Sequence, residues 1–206
     1  MVLTDLIFTE GLPIEVFTLD TGRLPNETYA LLDAIAARYG TRLRMLFPRS
    51  DAVEAYVTSH GVNGFYNSVE LRKACCHIRK VEPLRRALAG KKAWITGLRR
   101  AQSVSRGDLA VESFDDEHWL MKFNPLADWS HGEVWAYIRD RQVPYHALHD
   151  RGFPSIGCAP CTRAVAAGED IRAGRWWWET ADTKECGLHP GRATTPEAST
   201  SVVARE

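Results

Sequence analysis

Five cysteines are the residues of this 206-residue chain best suited to do chemistry. Four of them form two pairs, the adjacent Cys75 and Cys76 and the C-x-x-C of Cys158 and Cys161, while Cys186 stands apart. Four clustered thiolates are the ligand set of a structural zinc ion or of an iron–sulfur cluster. A fifth cysteine outside such a set remains available as a nucleophile.

Spacing alone leaves the identity of the metal open. Neighbouring residues of a helix point about 100° apart, so adjacent cysteines suit separate corners of a cluster better than one tetrahedral ion. Lys80 follows Cys76 by one helical turn, on the same face, and further cations flank the cysteine pair. Nearby cations stabilise an anionic cluster. A zinc site, or buried inert thiols beside a solvated basic helix face, are the alternatives.

The surroundings of Cys186 could activate it. A nucleophilic thiolate needs exposure and nearby positive charge, which lowers the pKa of the thiol. His189 follows three residues later, and Arg172 and Arg175 precede Cys186 in a polar stretch. The alternative is an ordinary surface thiol with no role.

The elements that must position these residues alternate between strand and helix. The pattern predicts strands over 13–20, 42–47 and 93–96, and helices over 26–39, 50–57 and 68–89 (interrupted near Pro83), with another after the capping box of Ser130 and Glu133. Such alternation predicts an α/β fold with a mostly parallel sheet covered by helices on both faces. Loops follow residue 143, and the polar residues 193–206 are expected to be a disordered tail.

A pair of arginines marks a candidate anion site. Arg99 and Arg100 lie just beyond the strand expected at 93–96, and ligands of open α/β sheets bind at the carboxyl ends of strands. Planar guanidinium groups suit phosphate or sulfate oxygens. An ordinary exposed loop is the alternative, and the tryptophans of 176–178 are expected to pack rather than to stack on a base.

Composition excludes several classes of partner. The chain has 26 Lys and Arg against 26 Asp and Glu, so no net field favours nucleic acid or an anionic membrane. Its longest apolar runs fall short of the ~20 residues of a membrane span. An odd number of cysteines without a visible secretory signal is typical of a reducing compartment, so we expect a cytoplasmic protein.

Taken in order, these motifs make the chain resemble the assimilatory adenylyl-sulfate (APS) reductases, within the broader APS/PAPS reductase family. The resemblance runs from Met1 to about Arg192. It includes Leu19-Asp20-Thr21-Gly22-Arg23-Leu24, Lys73-Ala74-Cys75-Cys76 with Arg79-Lys80, Thr96-Gly97-Leu98-Arg99-Arg100-Ala101-Gln102-Ser103, Pro154-Ser155-Ile156-Gly157-Cys158-Ala159-Pro160-Cys161-Thr162, Gly174-Arg175-Trp176-Trp177-Trp178-Glu179 and Glu185-Cys186-Gly187-Leu188-His189.

The resemblance implies a fold, a cofactor and a reaction. The fold is a Rossmann-like sheet of the adenine-nucleotide, ATP pyrophosphatase-like type over residues 1–192, with a cluster-binding and catalytic segment over 154–192. The two cysteine pairs imply a [4Fe-4S] cluster in place of zinc. The reaction is thioredoxin-dependent reduction of APS to sulfite and AMP through an S-sulfocysteine, in assimilatory sulfate reduction and cysteine biosynthesis. A homo-oligomer is compatible with the family resemblance.

The resemblance also assigns site residues. Cys186, His189 and Lys80 are the expected catalytic set. The expected substrate-binding residues are Leu19, Asp20, Thr21, Gly22, Gly97, Arg99, Arg100, Arg172 and Arg175.

One departure from the family pattern leaves two alternative functions. Family members carry a strand and a Ser/Gly-rich loop just before the segment that matches Met1-Val2-Leu3, and this sequence starts after that loop. We therefore expect an uncovered sheet edge. A PAPS-preferring reductase and a non-catalytic metal-binding remnant are the alternatives to an active APS reductase.

Overall fold

The computed structural model describes residues 1–103 and 106–180. Cys186, His189, the expected tail over 193–206 and the end of the expected catalytic segment lie outside the described residues.

Helices and strands alternate along the chain. The helices are α1 (Val2–Thr9), α2 (Asn26–Tyr39), α3 (Ser50–His60), α4 (Val69–Cys76), α5 (Glu82–Leu88) and α6 (His131–Asp140). The strands are β1 (Phe17–Leu19), β2 (Arg44–Leu46), β3 (Ala93–Ile95), β4 (Glu112–Asp115) and β5 (Leu120–Phe123). Short 3₁₀ turns make up most of the regular structure after α6. The expected α/β class is confirmed.

The strands form two sheets. In the first, β1 pairs with β2 in parallel, with Thr18 opposite Met45. In the second, β5 lies between β3, which runs parallel to it, and β4, which runs antiparallel. Within the described residues, β1 and β3 therefore each have a neighbouring strand on one side only.

Local signals explain the helices that the sequence predicts. The Ser130 side chain accepts the Glu133 N–H at 3.2 Å, and the Glu133 carboxylate accepts the Ser130 N–H at 2.8 Å, so the predicted capping box opens α6. Helix α2 spans the predicted residues 26–39 and ends at Gly40, which takes the left-handed conformation. Both helices are fixed by hydrogen bonds between residues close in sequence.

The helix predicted over 68–89 contains a π-helical segment. α4 ends at Cys76, a π-helical segment runs over His77–Val81, and α5 continues from Glu82. Pro83 lies in the first turn of α5, where its missing N–H costs least. The interruption thus precedes the proline and falls directly after the cysteine pair.

Three apolar clusters hold these elements together. One joins Val2 of α1 to Leu126 and to Ile138 of α6. Another packs Leu84 and Leu88 of α5 against Trp94 of β3 and residues of β1 and β5. The third contains all four paired cysteines. Among the described helices, none is both long and apolar enough to cross a membrane.

Candidate active site

Four cysteines meet in one buried cluster. Cys75 and Cys76 come from the last turn of α4, while Cys158 precedes and Cys161 ends a 3₁₀ turn over Ala159–Cys161. All four are free thiols with at most 9% of their surface exposed. Residues more than eighty positions apart in the sequence are thus brought together.

Cations surround these thiols. A small cavity is lined by the four cysteines and by Phe65, Pro160, Arg23, Arg72, Arg79 and Lys80. Lys80 is 7% exposed and lies close enough to oppose the rise in the pKa of Cys161. Lys73, which also flanks the cysteine pair in sequence, is exposed and does not line the cavity.

Burial favours the protonated thiols of Cys161 and Cys75 when no metal is bound. It raises the pKa of Cys161 to about 12, helped by negative charge on Cys158. Burial also raises the pKa of Cys75, against the opposing charge of Arg79. A metal centre replaces such protons, so its binding stabilises thiolates that the apolar surroundings would otherwise disfavour.

The four cysteines provide a set of thiol ligands for a metal centre. Within residues 1–103 and 106–180, no three His, Cys, Asp or Glu side chains are grouped so as to hold one metal ion. The four cysteines nevertheless line one common cavity, and four thiolates are the ligand set of a zinc ion or of an iron–sulfur cluster. The indole N–H of Trp176, buried in the same apolar cluster, has no acceptor among the described residues. A sulfur acceptor of an iron–sulfur cluster would satisfy it.

The loop after β1 contacts the cysteine cluster directly. The Thr21 hydroxyl lies 3.2 Å from Cys158 Sγ, and Arg79 Nη1 donates to the Thr21 carbonyl at 2.7 Å. Asp20 accepts the Gly22 N–H at 2.7 Å and the Tyr29 hydroxyl. Four residues assigned to substrate binding, Leu19 to Gly22, therefore end a strand beside the cluster site.

A larger cavity extends along β1 and β3 and reaches their carboxyl ends. Its volume is about 1090 Å³, and its lining includes Leu19, Gly97, Arg99 and Gly157. Arg99 is 8% exposed, and burial lowers the pKa of its guanidinium. Its Nη1 donates to the Trp129 carbonyl at 3.3 Å, and among the described residues it forms no ion pair. A buried cation of this kind is suited to bind an anionic group.

The other predicted arginines have different surroundings. Arg100 forms an ion pair with Asp128 on the surface, and Arg172 lines neither cavity. Arg175 is buried, with its guanidinium carbon 4.6 Å from the centre of the Trp176 ring. Its Nη1 donates to the Ile156 carbonyl at 3.2 Å. Of the four arginines assigned to substrate binding, Arg99 therefore lines the larger cavity, while Arg175 is buried against Trp176 and lines neither cavity.

Gly157 makes room for Arg175. A Cβ at Gly157 would lie 2.3 Å from Arg175 Nη2, far inside van der Waals contact. Gly157 lines the larger cavity, and the next residue, Cys158, lines the smaller one.

Two histidines of the larger cavity were missed by sequence reasoning. His146 Nε2 lies 2.9 Å from the Thr28 hydroxyl, and His149 Nδ1 lies 2.9 Å from the Phe153 carbonyl. Burial lowers the pKa of both imidazoles, which favours their neutral forms. Their three-residue spacing in a short 3₁₀ turn was the available signal, but nothing in the sequence indicated which way they face.

Comparison with known proteins gives the family. The model of the phosphoadenosine phosphosulfate reductase domain matches residues 1–164. The chain belongs to this family. The expected APS/PAPS reductase resemblance is thereby confirmed.

Several relatives in the APS/PAPS reductase family are close in sequence. Adenosine 5'-phosphosulfate reductase of Allochromatium vinosum is 59% identical over 189 residues, which cover 92% of this chain and 74% of the relative. The Burkholderia cepacia enzyme of the same name is 58% identical over 92% of this chain and 76% of its own. A Neisseria meningitidis serogroup B relative, also of that name, is 54% identical, covering 92% and 77%.

A solved structure from the same family has a similar fold. The phosphoadenylyl-sulfate (PAPS) reductase of Candida auris, in a phosphate complex, superposes with a TM-score of 0.66 at 30% identity. The match covers 80% of this chain and 77% of the other.

Proposed function

We propose that this chain reduces APS to sulfite and AMP, with Cys186 as the nucleophile, a [4Fe-4S] cluster on the four paired cysteines, and thioredoxin as the electron donor. One observation carries the proposal. The cysteine cluster adjoins the loop after β1, which is assigned to substrate binding, since the Thr21 hydroxyl lies 3.2 Å from Cys158 Sγ. Curated relatives named adenosine 5'-phosphosulfate reductase support the choice of substrate.

The proposed reaction has three steps, in which atoms and electrons balance. The Cys186 thiolate attacks the sulfur of APS, the bond from sulfur to the phosphate oxygen breaks, and AMP leaves. One thiolate of reduced thioredoxin then attacks the Cys186 sulfur, which releases sulfite and leaves a mixed disulfide. The second thioredoxin thiol resolves that disulfide, so thioredoxin supplies both electrons and becomes oxidised.

The described residues suit the binding of the phosphosulfate. Arg99 has a buried guanidinium without a carboxylate partner among the described residues, at the carboxyl end of β3. Arg175 lies beside Gly157, which lines the larger cavity. Lys80 lines the cysteine cavity. Cations aimed at the departing phosphate stabilise the charge that develops as the S–O bond breaks.

The remaining assignments rest on the family motifs. Leu19 to Gly22 and Gly97 would border the nucleotide, and Arg100 and Arg172 would add charge near the phosphosulfate. His189, three residues after Cys186, would lower the pKa of the Cys186 thiol.

Cys75, Cys76, Cys158 and Cys161 would hold the [4Fe-4S] cluster. When bound, it supplies a fixed negative charge beside Lys80, with no electron transfer required because the dithiol provides both electrons. Arg72, Arg79 and Arg23 line the same cavity and would offset that charge.

A pair of variants tests the division of roles among the cysteines. Sulfite release from APS with reduced thioredoxin is measured together with the iron and sulfide content of the anaerobically purified chain. We expect Cys186→Ser to abolish turnover and keep its iron, and Cys161→Ser to lose iron. Mass spectrometry of the wild type with APS alone should find one sulfonate group on Cys186. Turnover that survives in Cys186→Ser would contradict the proposal.

A PAPS-preferring reductase is the second candidate, because the solved relative from Candida auris is a PAPS reductase. The two nucleotides differ by one phosphate on the ribose. Sulfite release measured side by side with APS and PAPS at equal concentrations separates them. A higher kcat/KM for PAPS would favour the second candidate.

A further inference from the structure

The segment over 174–179 is hydrogen-bonded to the backbone that carries Cys161. Trp176 N–H donates to the Cys161 carbonyl at 3.1 Å, and Arg163 N–H donates to the Gly174 carbonyl at 2.9 Å. A Cβ on Gly174 would overlap the Arg163 carbonyl oxygen, so this close approach requires glycine. The backbone at the end of the C-x-x-C therefore holds one side of the segment.

Arg72 holds the end of this segment against helix α4. Its guanidinium donates two hydrogen bonds to the Glu179 carboxylate, at 2.9 and 2.7 Å, and the two side chains are 1% and 3% exposed. Burial disfavours the Arg72 cation, but hydrogen bonds and charge interactions with Glu179 and Cys76 outweigh this effect and raise the pKa of Arg72. One guanidinium is therefore shared between a carboxylate of the segment and a thiol of the cysteine cluster.

Trp176, in the middle of the segment, has a backbone conformation that bulky residues rarely adopt. Its φ of 41° lies in the left-handed region, and the residue is only 1% exposed. The guanidinium carbons of Arg72 and Arg175 lie 4.9 and 4.6 Å from the centre of its ring, within the range of cation–π interactions. Such a conformation persists where surrounding contacts impose it. The path of the segment therefore depends on these contacts.

The segment leads along the chain to the proposed nucleophile. Cys186 follows Glu179 by seven positions, and seven residues of fully extended chain span at most about 25 Å. Fixing Glu179 therefore limits the volume that the Cys186 thiol can reach. Holding two reacting groups within a small volume raises their effective concentration. The ion pair of Glu179 thus bears on how often the thiol meets bound APS, and not on the chemistry of the thiol itself.

We propose that Arg72 and Glu179 are positioning residues for Cys186, because their ion pair anchors the chain seven residues before the nucleophile to the helix that carries Cys75 and Cys76. This rests on the proposed function, which takes Cys186 as the residue that accepts the sulfonate group from APS. Without the anchor, the Cys186 thiol keeps its reactivity but samples a larger volume. It then reacts with bound APS less often.

Single-turnover sulfonation of Cys186 tests the proposal on the iron-loaded chain. APS is added without thioredoxin, and mass spectrometry follows the adduct over time. We expect Glu179→Gln to slow adduct formation by about tenfold or more, while alkylation of Cys186 by iodoacetamide, which needs no bound APS, keeps the wild-type rate. The matched control is Glu169→Gln, which removes the carboxylate charge from an exposed, two-pronged ion pair with Arg163 and should not change adduct formation.

A second variant keeps both charges, because Glu179→Gln removes a buried one. Arg72→Lys retains the cation beside Glu179 but lacks the planar fork that makes two parallel hydrogen bonds. We expect it to keep its fold and iron and to form the adduct at a rate between those of the wild type and Glu179→Gln. Hydrogen exchange of the Trp176 amide, measured without APS, should become faster in both variants.

The outcomes distinguish positioning from a purely structural role. Slower adduct formation with unchanged iron content and unchanged alkylation supports the proposal. Equal adduct formation in the wild type and both variants overturns it, as does a parallel loss of iron and alkylation. Unchanged exchange of the Trp176 amide overturns the anchor without reference to the reaction. A wild type that gains no adduct contradicts the proposed function itself, and the positioning role falls with it.

Discussion

Arg72 and Glu179 form a buried, two-pronged ion pair across 107 positions of sequence. Arg72 Nε donates to Glu179 Oε1 at 2.9 Å and Nη2 to Oε2 at 2.7 Å, with side chains 1% and 3% exposed. Arg72 lies one turn before the cysteine pair, and its guanidinium carbon is 4.9 Å from the centre of the Trp176 ring. The pair thus fastens the segment after the C-x-x-C to the helix that carries Cys75.

We expect Glu179→Gln to lower the free energy of unfolding by about 3 kcal/mol or more, because it removes the carboxylate charge that offsets the buried Arg72 cation. Urea unfolding measures the change. The matched control is Glu15→Gln, which removes two exposed ion pairs, with Arg44 and with Lys91, and should leave the unfolding midpoint nearly unchanged. Equal, small effects of the two substitutions would contradict a structural role for the buried pair.

Gly157→Ala should displace Arg175, because the new Cβ would lie 2.3 Å from Arg175 Nη2. We expect lower stability and a higher KM for APS. Gly132→Ala is the control, since a Cβ there lies 3.8 Å from Ser130 Oγ in the first turn of α6. Alanine is favoured over glycine in helices, so the control should unfold at the same or higher urea concentration. An unchanged KM in Gly157→Ala would show that Arg175 does not contact substrate.

Arg99→Met should reduce kcat/KM for APS about 10²–10³-fold, as loss of one donor to a developing negative charge typically does. Arg100→Met should have a much smaller effect, because Arg100 is engaged with Asp128 at the surface. Steady-state kinetics at fixed ionic strength measures both. If Arg100→Met causes the larger loss, the arginine that binds the anion is Arg100.

Thr21→Val should weaken the hold on iron, because it removes the hydroxyl that lies 3.2 Å from Cys158 Sγ. The rate at which a chelator removes iron from the loaded protein is the measurement. Thr21→Ser keeps the hydroxyl and should lose iron at the wild-type rate. Faster loss in both variants would assign the effect to the Thr21 methyl group.

The free energy of unfolding should fall at alkaline pH, because two tyrosines that donate hydrogen bonds to Asp5 lose their protons there. Burial, helped by the hydrogen bond to Asp5, raises the pKa of Tyr39 and of Tyr137 to about 12. The phenol of an unfolded tyrosine has a pKa of about 10. The stabilisation that comes from the raised pKa values is therefore complete below that pH and is lost as the pH rises through 12. Urea midpoints of the wild type and Tyr137→Phe, measured from pH 8 to 12, should converge. A constant difference would exclude this linkage.

Sequence reasoning succeeded where the cause is local. The capping box of Ser130 and Glu133 and the end of α2 at Gly40 depend on residues within four positions of each other. Helix α1 was missed because it has no side-chain cap and carries apolar residues around much of its surface. The β4–β5 hairpin was also missed. Its turn depends on Asp115, whose carboxylate accepts the backbone N–H groups of Glu117 and His118.

The candidate site was predictable in its residue types but not in its geometry. Spacing left zinc and an iron–sulfur cluster open, and the family resemblance favoured the cluster. The position of Arg175 against Gly157 and the partnership of Arg72 with Glu179 depend on how distant segments pack. No periodic pattern carries that information.

The π-helical segment over His77–Val81 joins α4 and α5 into one continuous helix and changes the direction in which the later side chains project. A single additional residue in a turn rotates everything after it by about 100°. Before this segment, Cys75 and Cys76 point into the cysteine cluster. After it, Leu84 and Leu88 point towards the strands. Deleting one residue from this segment would restore a regular α-helix, so either the thiols or the leucines would turn to solvent.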